Sequence, residues 1–322
     1  LPMRLIFSAA LFVFAFAGTA LEAQNLDSLM NLNAFTEESD LQKMLNKNVS
    51  ISAQNLTTRE TPGIISVVTA EEIQNIGARD LIDVLRLVPG FDVSQDLQFV
   101  MGLNLRGNWA NEGKVLVLMD GQPFNELLYQ SVAIGNRFPI DAIERIEIIR
   151  GPGSARYGGS AEYGVVNIIT KAASSLNGAA VYGTAGLHNN ATGRTNGGVM
   201  AASNSGKVSW DFSFFKGKSI VSDQLYQDIW QSSEPVALAD ATHADPMNIN
   251  AGIRYNGLSI RTMYDHFETA DPESNVSYKN FYLDAQYKIK LSNNFRLTPR
   301  LQYLNQVPWQ YDYPETPGLD FA

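Results

Sequence analysis

The sequence predicts an α+β domain followed by antiparallel β-strands patterned as a membrane wall. Three observations carry this reading. Residues 57–171 mix short apolar runs with helix-capping signals, a period of two takes over after Lys171, and an export signal stands at the N-terminus.

Arg4 precedes an apolar run over residues 5–17 broken only by Ser8, then Gly18, Thr19 and Ala20, with Ala23 just beyond. A run of about 13 residues falls short of the roughly 20 that span a bilayer as a helix. Residues 1–23 therefore read as a signal peptide, cleaved after Ala20 or Ala23, with Met3 a candidate start. Residues 24–56 are polar with scattered Leu and Met and read as a tether, shorter than the roughly 50 residues of the smallest domains.

Within residues 57–171, residues 64–68 read as a strand, and Thr69-Ala70-Glu71-Glu72 is a capping box in which the Thr69 hydroxyl faces the N3 amide and Glu72 reaches back. Gly77 is a natural stop for that helix. Asp80 caps a second helix whose Leu81, Val84, Leu85 and Val88 fall at i, i+3, i+4 and i+7, with Pro89-Gly90 as its end. Further strands are expected at residues 103–106, 115–119, 146–150 and 165–170, with turns at Asp120-Gly121 and Gly151-Pro152-Gly153.

After Lys171 the helix signals stop. From Phe281 to Leu291 every odd position is apolar, while Asp284, Gln286, Lys288 and Lys290 share the other face. The same alternation recurs in Val208, Trp210, Phe212 and Phe214, in residues 249–255 and 258–264, and in Leu297, Leu301 and Tyr303. A soluble sandwich would alternate too. Strands of about 10 residues, aromatics near their ends and the export signal favour a membrane barrel with apolar residues outward.

Composition removes several classes. Lys plus Arg number 24 against 33 Asp plus Glu, a formal net charge of -9, with no basic stripe for nucleic acid. The absence of cysteine excludes disulfides and thiolate metal sites, and His188, His243 and His266 stand far apart with no HExxH pair. The glycine-rich run at residues 151–164 lacks the third glycine of GxGxxG and is not directly followed by GK[ST], and GxSxG is absent, so its glycines read as turn and packing positions. No enzyme, cofactor or resident metal is expected.

Four segments in order, ETPGIISVVT from Glu60, GARDLIDVLRLVPGF from Gly77, VLVLMDGQP from Val115 and RIEIIRGPGSARYGGSAEYGVVNIITK from Arg145, resemble the plug domain of TonB-dependent outer-membrane receptors over roughly residues 49–171. The region 172–322 resembles the first strands of the family's barrel, on pattern more than on motif. The resemblance implies a 22-stranded barrel with a plugged lumen. It also implies import of a scarce ligand (an iron–siderophore, haem or cobalamin) across the outer membrane, energised by TonB and its inner-membrane partners. About 150 residues after Lys171 suffice for only about seven strands, and an open sheet with unpaired edges cannot sit in a bilayer. The expectation is an N-terminal fragment of a longer receptor. Rival readings are a plug protein that binds without transporting and a passive outer-membrane channel.

The resemblance places an energy-coupling TonB box before the plug. Val49, Ser50, Ile51, Ser52 and Ala53 have the position and the alternation for pairing as an added strand, or are ordinary linker. It further implies that Arg106 and Arg150 face barrel-wall glutamates and lock the plug; the alternative is two solvated strand ends. If residues 108–113 turn on the periplasmic side, residues 92–100 and 122–136 lie on the outer side. Phe99, Phe124, Asn125, Glu126, Tyr129 and Gln130 are then candidate ligand contacts, with ordinary loop packing the alternative for each.

Overall fold

The computed structural model describes residues 64–95, 101–110, 112–151, 157–227, 234–272, 275–292 and 295–311. Strand Ile64–Thr69 (β1) runs directly into helix Ala70–Asn75 (α1). Thr69 makes the junction: Glu72 N donates to its hydroxyl at 3.3 Å, and Thr69 N donates to the Glu72 carboxylate at 2.6 Å. Gly77 follows at φ +62°, a left-handed position where glycine carries no steric penalty. Asp80 caps helix Leu81–Leu85 (α2), accepting from Ile82 N and Asp83 N at 3.0 and 3.3 Å. This helix ends at Leu85, earlier than Pro89 suggests, and turns carry the chain to Gly90.

Residues 91–95, expected to open a loop, form strand Phe91–Gln95 (β2), because Phe91 and Val93 point into the core. Met101–Leu105 (β3) pairs with it and turns through Arg106-Gly107 into Asn108–Trp109 (β4). Val115–Met119 (β5) turns through Asp120-Gly121 into Gln122–Pro123 (β6). Both turns have two central residues at positive φ, +55° and +79° in the first and +48° and +80° in the second, the geometry that matches the twist of a tight hairpin. Ile143–Arg150 (β7) and Gly164–Thr170 (β8) complete a sheet ordered β1-β7-β8-β5-β6, antiparallel except for β5 beside β8.

Every residue of β5 is buried because both faces of this sheet are covered. Val115, Val117 and Met119 join the main core with Leu81, Leu85, Leu103 and Ile146, while Leu116 and Leu118 pack on Ala161 and Val165.

The rest of the chain is a meander. Gly178–Leu187 (β9), Thr192–Ser205 (β10) and Val208–Ser219 (β11) are followed by the short pair Leu225–Tyr226 (β12) and Val236–Ala237 (β13) and by helix Leu238–Ala241 (α3). His243–Tyr255 (β14), Leu258–Ala270 (β15) and Asn275–Tyr287 (β16) come next. A small hairpin of Ile289–Lys290 (β17) and Arg296–Leu297 (β18) then leads to Arg300–Tyr311 (β19). Seven of these form one antiparallel sheet in the order β19-β16-β15-β14-β11-β10-β9, open at β9 and β19 among the described residues. The alternating run expected to continue to Leu291 leaves the sheet at Tyr287, where Lys288 N bonds to Gly257 O and the chain enters β17.

Connections define two ends. Two-residue turns join β10 to β11 and β14 to β15 at one, and β12, β13 and α3 lie at the other, the loop end. Alternation sets the faces. Trp210, Phe212, Ile253, Phe281, Leu301 and Tyr303 are exposed, whereas Asp211, Ser213, Asn248, Asn250, Asp265, Asn280 and Asp284 are buried against the α+β domain. The polarity is inverted relative to a soluble sandwich, as a lipid-facing wall requires.

Candidate functional site

The two sheets meet through side chains with hydrogen-bonding partners across the joint. At its α2 edge, Asp80 Oδ2 accepts from Arg194 Nη2 of β10 at 2.8 Å, and Arg194 Nη1 donates to Arg79 O at 2.7 Å. Beside it, Asn136 and Asn196 exchange side-chain hydrogen bonds of 2.9 and 2.7 Å. Gly217 on neighbouring β11 makes this possible, since a Cβ there would fall on Asn196 Oδ1.

The β5–β6 turn delivers Asp120 to the wall. Its carboxylate accepts from Thr170 N and Oγ1 at 3.0 and 2.7 Å, from Asn250 Nδ2 at 2.6 Å and from Arg261 Nη1 at 3.2 Å. Arg261 also donates to Asn250 Oδ1 at 2.7 Å and to Asp211 Oδ2 at 2.8 Å. Gly252 leaves the room, because a Cβ there would stand 2.8 Å from Arg261 Nη2 and 2.9 Å from Asp211 Oδ2.

The driest contact is Arg137 Nη2 to Asp265 Oδ2 at 2.6 Å, both side chains only 1% exposed. Burial pulls the guanidinium pKa down, but the charge and hydrogen bond of Asp265 outweigh it and hold Arg137 above its ordinary value. Asn280 Nδ2 donates to the same carboxylate oxygen at 2.9 Å, and the rings of Phe124, Phe267 and Tyr278 lie 5.2, 5.5 and 5.5 Å from the guanidinium carbon.

At the loop end, residues 124–131 form a self-braced loop. Asn125 Oδ1 accepts from Val117 N, and its Nδ2 donates to Val115 O and Gln130 O. The Glu126 carboxylate accepts from Leu128 N, Tyr129 N, Ser131 N and Ser131 Oγ. Phe124 is buried between Phe138 and Tyr282. These three expected contacts therefore face inward and shape the loop, the ring by apolar burial and the two polar side chains by satisfying backbone amides. The loop instead shows Leu127, Leu128 and Tyr129 to solvent, 61, 63 and 58% exposed. Gln130, at φ +59°, is half-buried and bonds to Leu127 O and Ser160 Oγ. Tyr129 meets Trp309 edge-on at 5.9 Å. Trp309 reaches it through a bulge, because Pro308 and Trp309 together oppose Tyr278, and the left-handed backbone at Trp309 (φ +51°) re-aims the ring.

Arg106 is exposed on its hairpin tip and donates to Arg150 O at 3.4 Å, and Arg150 donates to Pro89 O at 3.1 Å. Among the described residues neither arginine has an ion-pair partner, and Arg150 Nε is buried without an acceptor. Val49, Ser50, Ile51, Ser52, Ala53 and Phe99 lie outside the described residues, as do the signal and tether segments. Sequence reasoning missed Asp80, Asp120, Arg137, Asn136 and the wall residues that meet them. Asp80 was legible as a cap and Asp120 as a turn; Arg137 had only the signal of a charge beside Phe138.

An α+β domain seated by polar contacts on the polar face of an up-and-down sheet, with the opposite face apolar, defines a plug and part of a barrel wall. Residues 57–165 match the family model of the TonB-dependent receptor plug domain. The chain is 30% identical over 272 residues to the vitamin B12 transporter BtuB of Vibrio vulnificus, covering 80% of this chain and 41% of that protein. It is 34% identical over 157 residues to a ferric enterobactin receptor of Pseudomonas aeruginosa, covering 41% of this chain and 19% of that one. In fold it is similar to a mutant of the ferric enterobactin receptor PfeA of Pseudomonas aeruginosa, with a TM-score of 0.56 at 19% identity over 77% of this chain and 41% of that one. It is also similar to the siderophore receptor PirA of Acinetobacter baumannii, with a TM-score of 0.55 at 19% identity over 77% of this chain and 40% of that one. Residues 57–165 are thus a plug domain of the TonB-dependent receptor type. The chain spans about two-fifths of the length of BtuB and less of the ferric enterobactin receptor.

Proposed function

We propose that this chain forms the plug and first wall strands of an outer-membrane receptor that imports a scarce ligand, an iron–siderophore before haem or cobalamin, energised through TonB and its inner-membrane partners. The observation that carries the reading is the joint itself: a plug fastened by Asp80, Asn136, Asp120 and Arg137 to the polar face of a sheet whose other face is apolar. Such a plug closes the lumen, so passage requires work on it, and a passive channel has no use for the fastening. Similarity to BtuB and to ferric enterobactin receptors supports the ligand classes.

In this reading residues 1–23 direct export, residues 24–56 reach TonB through Val49, Ser50, Ile51, Ser52 and Ala53, residues 57–171 are the plug, and residues 172–322 begin a wall closed by further strands in the assembled receptor. The loop end faces outward, the plug's N-terminus faces the periplasm, and Leu127, Leu128, Tyr129, Gln130 and Trp309 meet the ligand. Arg106 and Arg150 await acidic partners on wall strands outside this sheet.

The test is growth of iron- or cobalamin-starved cells that carry this receptor in place of their own, supplied in turn with ferric catecholates, ferric hydroxamates, haem and cobalamin. Growth on one of them that disappears with a protonophore, or with Ile51→Pro, is the expected result. Growth that persists after the gradient collapses would make it a passive channel, and binding without growth a non-transporting plug protein.

A further inference from the structure

Residues 124–138 form one continuous segment that carries both the exposed loop and the driest fastening of the plug. Tyr129 touches Trp309 at 5.9 Å, Trp309 touches Tyr278 at 5.2 Å, and Tyr278 is one of three rings around the Arg137 guanidinium. The other two are Phe124, from the same segment, and Phe267 of β15, itself stacked on Tyr278 at 6.4 Å. An unbroken line of ring contacts thus runs from the loop end to a carboxylate and a guanidinium that water does not reach.

An ion pair of this kind responds abruptly. With both partners dry, its attraction is strong only while the surrounding rings exclude water. Arg137 Nε has no acceptor, so the guanidinium is held by one carboxylate, by Ala133 O at 3.3 Å and by the rings. The fastening at Asp120 is different, since its carboxylate is shared among Thr170, Asn250 and Arg261.

We propose that Arg137 and Asp265 form a latch whose strength is set by the Tyr129–Trp309–Tyr278 rings, so that a ligand drawing Tyr129 or Trp309 outward admits water to the pair and releases residues 131–138 from the wall. Arg137 is here a positioning residue: it touches no ligand and acts through Tyr278 and Asp265. The inference rests on the receptor reading above and deepens it by naming how occupancy of the loop end reaches the plug.

The experiment uses the assembled receptor with two readouts, hydrogen exchange of residues 131–138 in the purified protein and susceptibility of cells to a large hydrophilic antibiotic that an intact plug excludes. Asp265→Asn and Trp309→Ala should each speed exchange and raise susceptibility several-fold. Their combination should go no further than Asp265→Asn alone, and exchanging the charges (Arg137→Asp with Asp265→Arg) should restore both readouts towards the parent. If Asp265→Asn fails to assemble into a folded receptor, Arg137→Lys, which keeps the charge but loses the fork and the ring stacking, takes its place with the same expectation at smaller amplitude. Parental exchange in Asp265→Asn or its stand-in, or full additivity with Trp309→Ala, overturns the latch. Neither readout requires uptake, so a receptor that imports nothing would sink the transport reading and leave this result intact.

Discussion

Asp80 holds α2 and Arg194 with different oxygens of one carboxylate: Oδ1 accepts from the first turn of the helix, and Oδ2 lies 2.8 Å from Arg194 Nη2 on β10. A helix cap and a plug-to-wall contact are thus the same side chain. Asp80→Asn should keep the cap and lose the ion pair, whereas Asp80→Ala loses both. Loss of a cap costs about 1 kcal/mol, so hydrogen exchange within α2 should rise about fivefold in Asp80→Ala relative to Asp80→Asn. Arg194→Ala should behave like Asp80→Asn.

Gly217 holds open the space that the Asn136–Asn196 pair fills. Gly217→Ala should push the Asn196 amide aside and leave buried polar groups without partners, a cost of about 1–3 kcal/mol. Denaturant unfolding checks this, and adding Asn136→Ala to Gly217→Ala should cost little more, because both remove one contact.

Arg261 stands between two carboxylates, Asp120 of the plug and Asp211 of the wall, with contacts of 3.2 and 2.8 Å. Asp120→Asn leaves Arg261 and Asp211 as a matched pair and keeps an acceptor for Thr170. Arg261→Met leaves two acids facing each other with no cation. The arginine substitution should therefore be the more damaging, by up to about 3 kcal/mol, and the double substitution should cost less than the two singles added. Thermal unfolding of the four proteins closes the cycle.

Tyr129 and Trp309 form an edge-on aromatic pair at the loop end, a contact worth about 0.5–1.5 kcal/mol. Tyr129→Ala or Trp309→Ala should weaken binding of the ligand that supports growth by up to about tenfold, as measured by titration with that ligand. Asn125→Ala should instead lower the yield of folded receptor and leave the affinity of what folds near the parent value, because its amide bonds only to backbone.

Arg79, through its side-chain hydrogen bond, holds the Asp83 carboxyl below the usual carboxylate range. A group depressed on folding contributes stability that is fully present above its unfolded pKa and is lost as pH falls through the folded value. Asp83→Asn should therefore lower plug stability slightly at neutral pH, converge with the parent below the folded pKa of Asp83, and so flatten the acid limb. With Arg79 largely exposed, the difference should shrink in about 1 M salt.

Local chemistry was legible in the sequence wherever a few neighbouring residues settle it. Thr69 with Glu72, Asp80 before Leu81 and the Asp120-Gly121 turn could be read directly, and alternation brought out strands β11, β14, β15, β16 and β19. Strand β2 was missed because its two inward residues, Phe91 and Val93, are too few to declare a period. The alternating run past Tyr287 was read too far because period two persists where sheet pairing stops. The joint was illegible for a stronger reason: Asp120 meets Arg261 and Arg137 meets Asp265 across more than a hundred residues, and only the strand register brings them together. Phe124, Asn125 and Glu126 look like loop chemistry in sequence, yet the loop folds around them.

The two wall glycines, Gly217 and Gly252, are notches cut to the outline of particular plug-facing side chains, the Asn136–Asn196 amides and the Arg261–Asp211 pair that takes Asp120. Plug and wall are therefore keyed to each other like a blank and its cylinder. A plug transplanted from a relative would meet empty notches or jam against filled ones, so modular exchange of these parts succeeds only when the wall glycines travel with the plug residues they accommodate.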